Sequence, residues 1–300
     1  MGVTKQESIG FYKMSKLLTI QEPFIIWLQS NFHPQADNFF KFFTDVGGMQ
    51  WSFFIWGFFI WSVSYSFGCR LVLVWLFGSY LSLALKGIIA TPRPIQASSQ
   101  VIPIITEKGS GFPSGHAMSA TITWGYFALF EKRKWITLLA LLMIFWVSLS
   151  RVYLGVHYPM DVMGSWAIGG LLLWACICIA PAVEKFLDPE GIINKLIIIL
   201  VGAAVIFTII SRFAPSKTAL LWYKSSFTFY LSFTLGWLLQ GRFIKFKTQG
   251  KWLRKTLRFL IGGTALFCLM HFSRKGFLFY SATGLWLTLG APALFRALKL

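Results

Sequence analysis

The chain has 300 residues, of which 56% are hydrophobic and only 13% are charged. Soluble domains carry about 25% charged residues, so this composition excludes an ordinary soluble domain and indicates an integral membrane protein. A net charge of +18 would suggest a nucleic-acid partner in a soluble protein. Here the basic residues cluster in short loops between apolar runs, as membrane topology requires, so we predict the membrane as a partner and no nucleic acid.

The amino-terminal segment, residues 1–48, contains apolar runs that are too short to cross a membrane. Met1 to Lys16 is polar and mixed, without the apolar centre and small-residue cleavage site of a signal peptide. The apolar run from Pro23 to Leu28 soon meets polar residues and Pro34. Because a span needs about 20 apolar residues, we predict an interfacial helix here, with an additional span as the alternative. A second short amphipathic piece is expected at Asn38–Phe43.

Long apolar runs follow, separated by short charged loops. Lipid cannot satisfy an open backbone, so each run that crosses the membrane is expected to be a helix. The sequence therefore predicts an all-α polytopic membrane bundle with about nine transmembrane helices. Their approximate bounds are Met49–Phe67, Leu71–Leu85, Gly115–Phe130, Trp135–Ser150, Met160–Val183, Lys195–Ser211, Thr218–Gln240, Phe259–Phe272 and Phe277–Phe295.

A charged break at Glu184–Asn194 divides the apolar part of the chain. We predict a catalytic core at residues 49–183 and a carboxy-terminal extension of four helices at residues 184–300. Counted alternately along the spans, one side of the membrane receives Arg70, Lys132–Lys134, Lys185 and the run Arg242–Arg258. The side richer in basic residues should be cytoplasmic, which places the polar clusters described next on the periplasmic or lumenal face.

Three short polar clusters interrupt the apolar sequence between residues 86 and 161. Ionised groups are costly in such surroundings, which suggests a shared task. Arg93 and Arg151 can each offer a planar fork to two phosphate oxygens, and Lys86 adds a point charge. The alternative is that these are cations at the ends of spans that reach for the interface. The polar loop Ile95–Phe112 separates the first two clusters and is expected to form a partial lid.

The second cluster, Pro113-Ser114-Gly115-His116, opens a predicted helix. Unpaired backbone N–H groups at a helix start favour an anion, and Gly115 lets that anion approach the chain closely. Ser114 can donate a hydrogen bond to phosphate or simply cap the helix. His116 can present a proton to a leaving oxygen, or it can be an ordinary interfacial histidine.

The third cluster pairs His157 with Asp161, near the start of another predicted helix. A carboxylate on one ring nitrogen fixes the tautomer and leaves the other nitrogen free to attack an electrophile. The alternative is a helix cap with a bystander histidine. Taken together, the clusters supply a nucleophile, a proton donor and several phosphate-binding groups, which is what phosphoryl transfer needs.

The order and spacing of these residues resemble the type 2 phosphatidic acid phosphatase family, which is related to vanadium haloperoxidases and glucose-6-phosphatase. The resemblance covers about Phe39–Val183. Every signature position matches: Lys86, Arg93 and Pro94; Pro113, Ser114, Gly115 and His116; Ser150, Arg151, His157 and Asp161.

The resemblance implies a role for each residue. His157 would attack phosphorus to form a phosphohistidine, Asp161 would orient it, and His116 would protonate the leaving group and then help to activate water. The phosphate would be held by Lys86, Arg93, Ser114, Gly115 and Arg151. The family works without a metal ion, and the acidic residues near the clusters are too few for a magnesium site. We therefore expect no metal and no cofactor.

The expected function is that of a metal-independent phosphatase for a lipid phosphate or diphosphate monoester at the non-cytoplasmic face of the membrane. The sequence leaves three alternatives open: a sugar-phosphate phosphatase, a lipid phosphotransferase in which a second lipid replaces water, and a lipid transporter. It also leaves open the oligomeric state and the choice between a bacterial inner membrane and an organelle membrane.

Overall fold

The computed structural model of the protein describes residues 17–186, 217–272 and 276–300, together with 202, 205, 207–209, 211 and 212. Within these residues every regular element is a helix. The prediction of an all-α fold is confirmed for this part of the chain.

Two short helices, α1 (Glu22–Phe32) and α2 (Asp37–Val46), form the amino-terminal segment. Both pack on the helix that ends at Tyr153. The Phe40 ring stacks on the Tyr153 ring with centroids 4.0 Å apart, and the Tyr153 hydroxyl donates to Asp37 Oδ1 at 2.7 Å. Gln29, one of the polar residues that follow the apolar run of α1, is buried, and its side chain donates to the Tyr153 carbonyl at 2.9 Å.

The core consists of one short helix and five longer ones. Helix α6 lies at its centre and packs against α4, α7 and α8. Glycines allow close approach at these contacts: a Cβ at Gly125 would lie 2.7 Å from the Leu173 side chain, and one at Gly169 would lie 2.9 Å from Thr121. The elements are α3 (Met49–Phe58), α4 (Tyr65–Ile89), α5 (Pro94–Ala97), α6 (Gly115–Glu131), α7 (Lys134–Tyr153) and α8 (Pro159–Phe186).

The break between α3 and α4 lies earlier than the sequence predicts. Helix α3 continues into a π-helical turn, Phe59–Val63, and the backbone becomes extended at Ser64. The Ser64 hydroxyl then accepts from the Phe67 backbone N–H and caps α4. An N-cap serine satisfies an otherwise unpaired N–H group, so the apolar run predicted as one span to Phe67 is divided at this residue.

The carboxy-terminal part packs directly on the core. Its elements are α9 (Lys217–Leu239), α10 (Trp252–Phe272), α11 (Phe277–Leu285) and α12 (Ala291–Ala297), with π-helical segments at Gln240–Ile244 and Trp286–Gly290. Helix α9 contacts α4, and α10 contacts α3. The Trp61 indole donates to the Leu287 carbonyl at 2.9 Å, and the Tyr65 hydroxyl donates to the Thr288 carbonyl at 2.7 Å. The division at residue 184 remains a prediction.

Four helices of the described chain are long and apolar enough to cross a membrane: Tyr65–Ala97, Lys134–Tyr153, Pro159–Ile179 and Phe277–Ala297. Met49–Val63 is apolar but shorter. These helices confirm an integral membrane protein, while the total of about nine spans stays a prediction. The predicted span Lys195–Ser211 lies largely outside the described residues.

The basic loop before α10 lies at the end of the bundle opposite the polar clusters. Arg258 is buried, donates to the Thr248 carbonyl at 2.9 Å and to the Trp61 carbonyl at 3.4 Å, and lies over the Phe246 ring. Trp61 is near the far end of α3, whose first residue, Met49, lies beside the second polar cluster. The clusters and the basic run are therefore separated by the length of α3 and its π-helical turn.

The closest backbone approach at the α3–α4 break provides a test of the packing. A Cβ at Gly68 would lie 2.6 Å from the backbone nitrogen of Ile60, and a change of rotamer cannot relieve that clash. Gly68→Ala should reduce the free energy of unfolding by about 1–3 kcal/mol, the usual cost of overpacking.

The matched control is Gly170→Ala, because a Cβ at that position meets no atom within 4 Å among the described residues. The apparent melting temperature in detergent should fall for Gly68→Ala and stay near wild type for the control. Equal melting temperatures for the two variants would contradict this packing at the α3–α4 break.

Candidate active site

Two buried arginines from different clusters share one carboxylate. Arg93 and Arg151 are 4% and 1% exposed; Arg93 directly precedes α5, and Arg151 lies in the last turn of α7. Glu107 lies between them: its Oε2 is 3.0 Å from Arg93 Nη1, and its Oε1 accepts a hydrogen bond from Arg151 Nη2. The structure therefore brings both guanidinium groups that were predicted to bind phosphate to the Glu107 carboxylate.

The surroundings of Glu107 strongly favour an anion. Burial alone would raise the pKa of this carboxyl group, but Arg151, His116 and Arg93 outweigh it and hold the pKa at about 2. Arg151 also donates, through Nη1, to Thr44 Oγ1, which α2 presents to α7. Each oxygen of the carboxylate thus meets one guanidinium group, a setting that favours an anion.

Backbone geometry aims Arg93 at this position. Helix α4 ends at Ile89, Ala90 adopts a left-handed conformation, and the chain is extended at Arg93 before Pro94 starts α5. The guanidinium group then donates to the Val156 carbonyl at 2.9 Å and the Gly109 carbonyl at 3.0 Å. Pro94 suits this arrangement, because proline fixes φ and favours the first turn of a helix.

Lys86 reaches the same loop from the last turn of α4. Its ammonium group donates to the carbonyls of Ser110 at 2.9 Å and Gly111 at 3.0 Å. Together with the contacts of Arg93, these bonds fix the segment from Lys108 to Gly111 over the site. The loop predicted as a partial lid does cover the cationic groups.

His157 and Asp161 form the predicted pair. His157 Nδ1 lies 3.3 Å from Asp161 Oδ2, and the same oxygen accepts from the Tyr158 backbone N–H at 2.9 Å. The other ring nitrogen, Nε2, lies 3.2 Å from Arg93 Nη1. A proton on Nδ1, directed at Asp161, leaves the Nε2 lone pair to accept from Arg93 Nη1, which also contacts Glu107.

The imidazole of His157 is almost completely buried, at 1% exposure, beneath the loop. Burial and the nearby cations Lys86, Arg93 and Arg151 hold the pKa of His157 well below its usual value. The ring is therefore neutral near pH 7, as a nucleophile must be.

The second cluster is placed at the start of α6. The Ser114 hydroxyl accepts from the Ala117 backbone N–H at 3.5 Å, so it caps the helix, and the residue is fully buried. A Cβ at Gly115 would meet no atom within 4 Å among the described residues, which leaves open space at this helix terminus. The His116 ring lies beside the Gly47–Gly48 turn, and its role as a proton donor remains a prediction. The phosphate contact predicted for Ser114 remains a prediction.

A cavity of about 530 Å³ opens beside these residues, and we call it the side cavity. Lys86, Gly115 and His116 are part of its wall, along with the loop residues Lys108–Ser110. The wall does not include Arg93, Arg151 or His157, which lie under the loop and Glu107.

Of the eight predicted site residues, five make hydrogen bonds with the loop or with one another: Lys86, Arg93, Arg151, His157 and Asp161.

Sequence reasoning missed three contributions to the site. Glu107 was counted only among the acidic residues near the clusters, which are too few for a magnesium site, although an acid between two basic clusters was a usable signal. Thr44 gave no signal, because it meets Arg151 only through the packing of α2 on α7. The Gly47–Gly48 turn lies against His116: a Cβ at Gly47 would be 3.5 Å from the imidazole Cδ2.

Individual relatives match over part of the chain. Phosphatidylglycerophosphatase B of Bacillus subtilis (strain 168) is 33% identical over 116 residues, 36% of this chain and 55% of the relative. Undecaprenyl-diphosphatase of Sulfolobus acidocaldarius is 32% identical over 105 residues, 34% and 50% of the two chains. Glucose-6-phosphatase 2 of Homo sapiens is 26% identical over 169 residues, 45% and 46%. The chain spans about half the length of these curated relatives.

Among solved structures, the chain is similar to a transmembrane PAP2 type phosphatidylglycerolphosphate phosphatase from Bacillus subtilis. The TM-score is 0.45 at 23% sequence identity, over 61% of this chain and 96% of that one.

Two family models match the sequence in succession. The PAP2 superfamily model matches residues 67–185, and the model of the transmembrane extension of PAP2 superfamily phosphatases matches residues 225–300. The first stretch contains all three polar clusters, and the second contains α10 to α12. Since the two models belong to one superfamily and together match more than half of the chain, the protein is a member of the PAP2 superfamily with its transmembrane extension.

Proposed function

We propose that the protein is a metal-independent membrane phosphatase that hydrolyses a lipid phosphate or diphosphate monoester through a phosphohistidine. One observation carries the proposal: the guanidinium groups of Arg93 and Arg151 converge on the Glu107 carboxylate, and His157 Nε2 lies 3.2 Å from Arg93 Nη1. The relatives named as phosphatases support the same class of reaction.

Phosphate would take the position of the Glu107 carboxylate. Both groups are anionic and offer oxygens to a planar fork, so the two arginines can exchange one for the other. Arg93 would then hold a phosphate oxygen close to His157 Nε2, which brings the phosphorus within reach of the ring nitrogen. Catalysis of phosphoryl transfer depends mainly on two contributions: the positioning of the phosphate and the neutralisation of its charge by fixed cations.

In the first step, the Nε2 lone pair of His157 attacks phosphorus, and the bond between phosphorus and the leaving oxygen breaks. His116 donates its proton to that oxygen, which leaves as an alcohol or, from a diphosphate, as a phosphate. The positive charge that develops on the His157 ring is stabilised by Asp161 through Nδ1, at 3.3 Å.

In the second step, water attacks the phosphohistidine. His116, now neutral, takes a proton from the water as it adds to phosphorus, and the nitrogen–phosphorus bond breaks. Inorganic phosphate leaves, and His157 and His116 return to their starting protonation states. All proton transfers in this scheme use groups of the chain, and we propose that no metal takes part.

A lipid is the substrate class that the surroundings favour. The site adjoins the side cavity, whose wall includes the apolar side chains of Met49, Trp75, Leu83 and Trp222. A free sugar phosphate would leave this apolar wall exposed to water. We propose the non-cytoplasmic face of the membrane, because Arg258 and the basic loop around it lie at the opposite end of the bundle.

Removal of the proposed nucleophile gives the most general test. His157→Ala should lower phosphate release from a short-chain phosphatidate in detergent by at least about a thousandfold, the scale observed when a nucleophile is removed. The control is His271→Ala, at an exposed histidine in the last turn of α10. Undiminished release by His157→Ala would eliminate the covalent mechanism.

The bidentate grip of Arg151 can be tested with its charge retained. Arg151→Lys keeps one positive charge but cannot bind two oxygens in a plane, so kcat/KM should fall by about 10- to 100-fold. The matched control is Arg133→Lys, because Arg133 is 65% exposed and pairs only loosely with Glu131 at 3.6 Å. Wild-type turnover in Arg151→Lys would show that Arg151 does not hold phosphate.

Competition between Glu107 and phosphate predicts a gain in anion binding. Glu107→Gln keeps the shape of the side chain and removes its charge, so inorganic phosphate should inhibit the variant with a Ki about tenfold lower, equal to about 1.4 kcal/mol. Glu131→Gln, far from the site, serves as the control and should leave Ki unchanged. A higher Ki in Glu107→Gln would show that the carboxylate assists phosphate binding.

A further inference from the structure

The amino-terminal helices α1 and α2 contact the proposed active site, although they precede the stretch that the PAP2 model matches. The Tyr158 hydroxyl, next to His157, donates to Glu22 Oε1 at 3.3 Å. The Met160 backbone N–H donates to Gln21 Oε1 at 2.8 Å. The amino-terminal segment therefore bonds to the chain on both sides of the turn that leads from the proposed nucleophile into α8.

Gln29 on α1 joins the loop over the site to α7. Its Nε2 donates to the Ile102 carbonyl at 3.0 Å and to the Tyr153 carbonyl at 2.9 Å, and its Oε1 accepts from the Ile102 backbone N–H at 2.9 Å. Ile102 lies five residues before Glu107, and Tyr153 lies two residues after Arg151. One side chain thus fixes the separation of the two segments that carry the ion pair.

Helix α2 packs on α7 through one face. Phe40, Thr44 and Gly47 are buried and recur at the spacing of helical neighbours. The Phe40 ring stacks on Tyr153, and a Cβ at Gly47 would lie 2.5 Å from Val147 Cγ1. Because Thr44 lies between these two contacts, the packing of α2 fixes its hydroxyl against α7.

Thr44 determines which edge of the Arg151 guanidinium group is free. Thr44 Oγ1 accepts from Arg151 Nη1, and Arg151 Nη2 donates to Glu107. The remaining nitrogen, Nε, is buried and makes no hydrogen bond within the described part of the chain. Nε and Nη2 form one edge of the planar group, and a phosphate needs two such parallel N–H groups for a bidentate bond. The bond to Thr44 therefore turns this edge towards the position of the Glu107 carboxylate.

We propose that α1 and α2 form part of the active site, with Thr44 as a positioning residue for Arg151 and Gln29 as the anchor of the loop that carries Glu107. Thr44 touches no reacting atom in this scheme and acts only through the guanidinium group. Gln29 keeps the loop over the site while the Glu107 side chain yields to phosphate. This inference rests on the proposed phosphatase function.

The role of Thr44 is tested by removing its hydroxyl at constant volume. Thr44→Val should lower kcat/KM for phosphate release from dioctanoyl phosphatidate by about tenfold, because the Nε–Nη2 edge is no longer held in place. The measurement uses the purified full chain in detergent. Thr44→Ser restores the acceptor and should keep at least about half of the wild-type kcat/KM. The control Thr283→Val removes another buried helical hydroxyl, which donates to the Phe279 carbonyl, and should change kcat/KM by less than about twofold.

A double variant distinguishes positioning from a general effect on folding. Arg151→Lys has no planar edge to orient, so adding Thr44→Val to it should lower kcat/KM by less than about twofold more. A purely structural Thr44 would cause the same loss in both backgrounds. Such additive losses, or an equal loss in Thr44→Ser and Thr44→Val, would overturn the assignment of Thr44.

The anchor is tested without an activity measurement. Gln29→Met keeps the length of the side chain and removes its three hydrogen bonds, so trypsin should cleave after the exposed loop residue Lys108 at least about fivefold faster. The control Gln240→Met changes another buried glutamine, beside Phe246, and should leave this rate unchanged. Wild-type cleavage in Gln29→Met would overturn the anchor.

The two levels of failure are distinguishable. Full activity in Thr44→Val, with phosphate release by the wild type, overturns this inference and leaves the proposed function standing. Absence of phosphate release by the wild type from any lipid phosphate overturns the proposed function itself.

Discussion

The structure depends on the burial of positive charge at one end of the helix bundle. Arg93 and Arg151 are almost fully buried, and Lys86 lies close to them. Like charges repel strongly where water is scarce, so the fold must surround them with acceptors. The loop between α5 and α6 supplies backbone carbonyls, and Glu107 supplies the one carboxylate that both arginines share.

This arrangement links stability to function. The groups that neutralise the arginines are on a loop, and in the proposed reaction the Glu107 carboxylate gives way to a phosphate of similar charge. His157, the proposed nucleophile, lies beneath the same loop, next to Arg93. A phosphate that takes the place of Glu107 would therefore reach His157 as it satisfies the cations, so binding and positioning would occur together.

Much of this arrangement could be predicted from the sequence, because local patterns encode it. The apolar runs predicted the helices, and the ionised residues at their ends predicted the cationic centre around Arg93 and Arg151. Contacts that depend on tertiary packing could not be predicted: Thr44 meets Arg151 across 107 positions, and Trp222 reaches the cavity from the extension. The break at Ser64 was also missed, since a π-helical turn has no distinct apolar period. The starts of α6, after the capping Ser114, and of α8, at Pro159, agree with the predicted spans to within one residue.

The carboxy-terminal extension is joined to the core by specific hydrogen bonds as well as by apolar packing. Trp61 and Tyr65 donate to backbone carbonyls of the π-helical segment between α11 and α12, and α9 rests on α4. The extension thus supports the same helix, α4, that carries Lys86 at its end. Changes in the extension can reach the site through this helix without altering any residue of the three clusters.

The most direct test of the account is to trap the covalent intermediate. Purified protein is mixed with phosphatidate labelled at phosphorus, quenched within milliseconds in alkali, digested and analysed by mass spectrometry. The account predicts a phosphate that is stable in alkali and labile in acid, attached to the peptide that contains His157. Turnover without any labelled protein, or a label on a different residue, would contradict it.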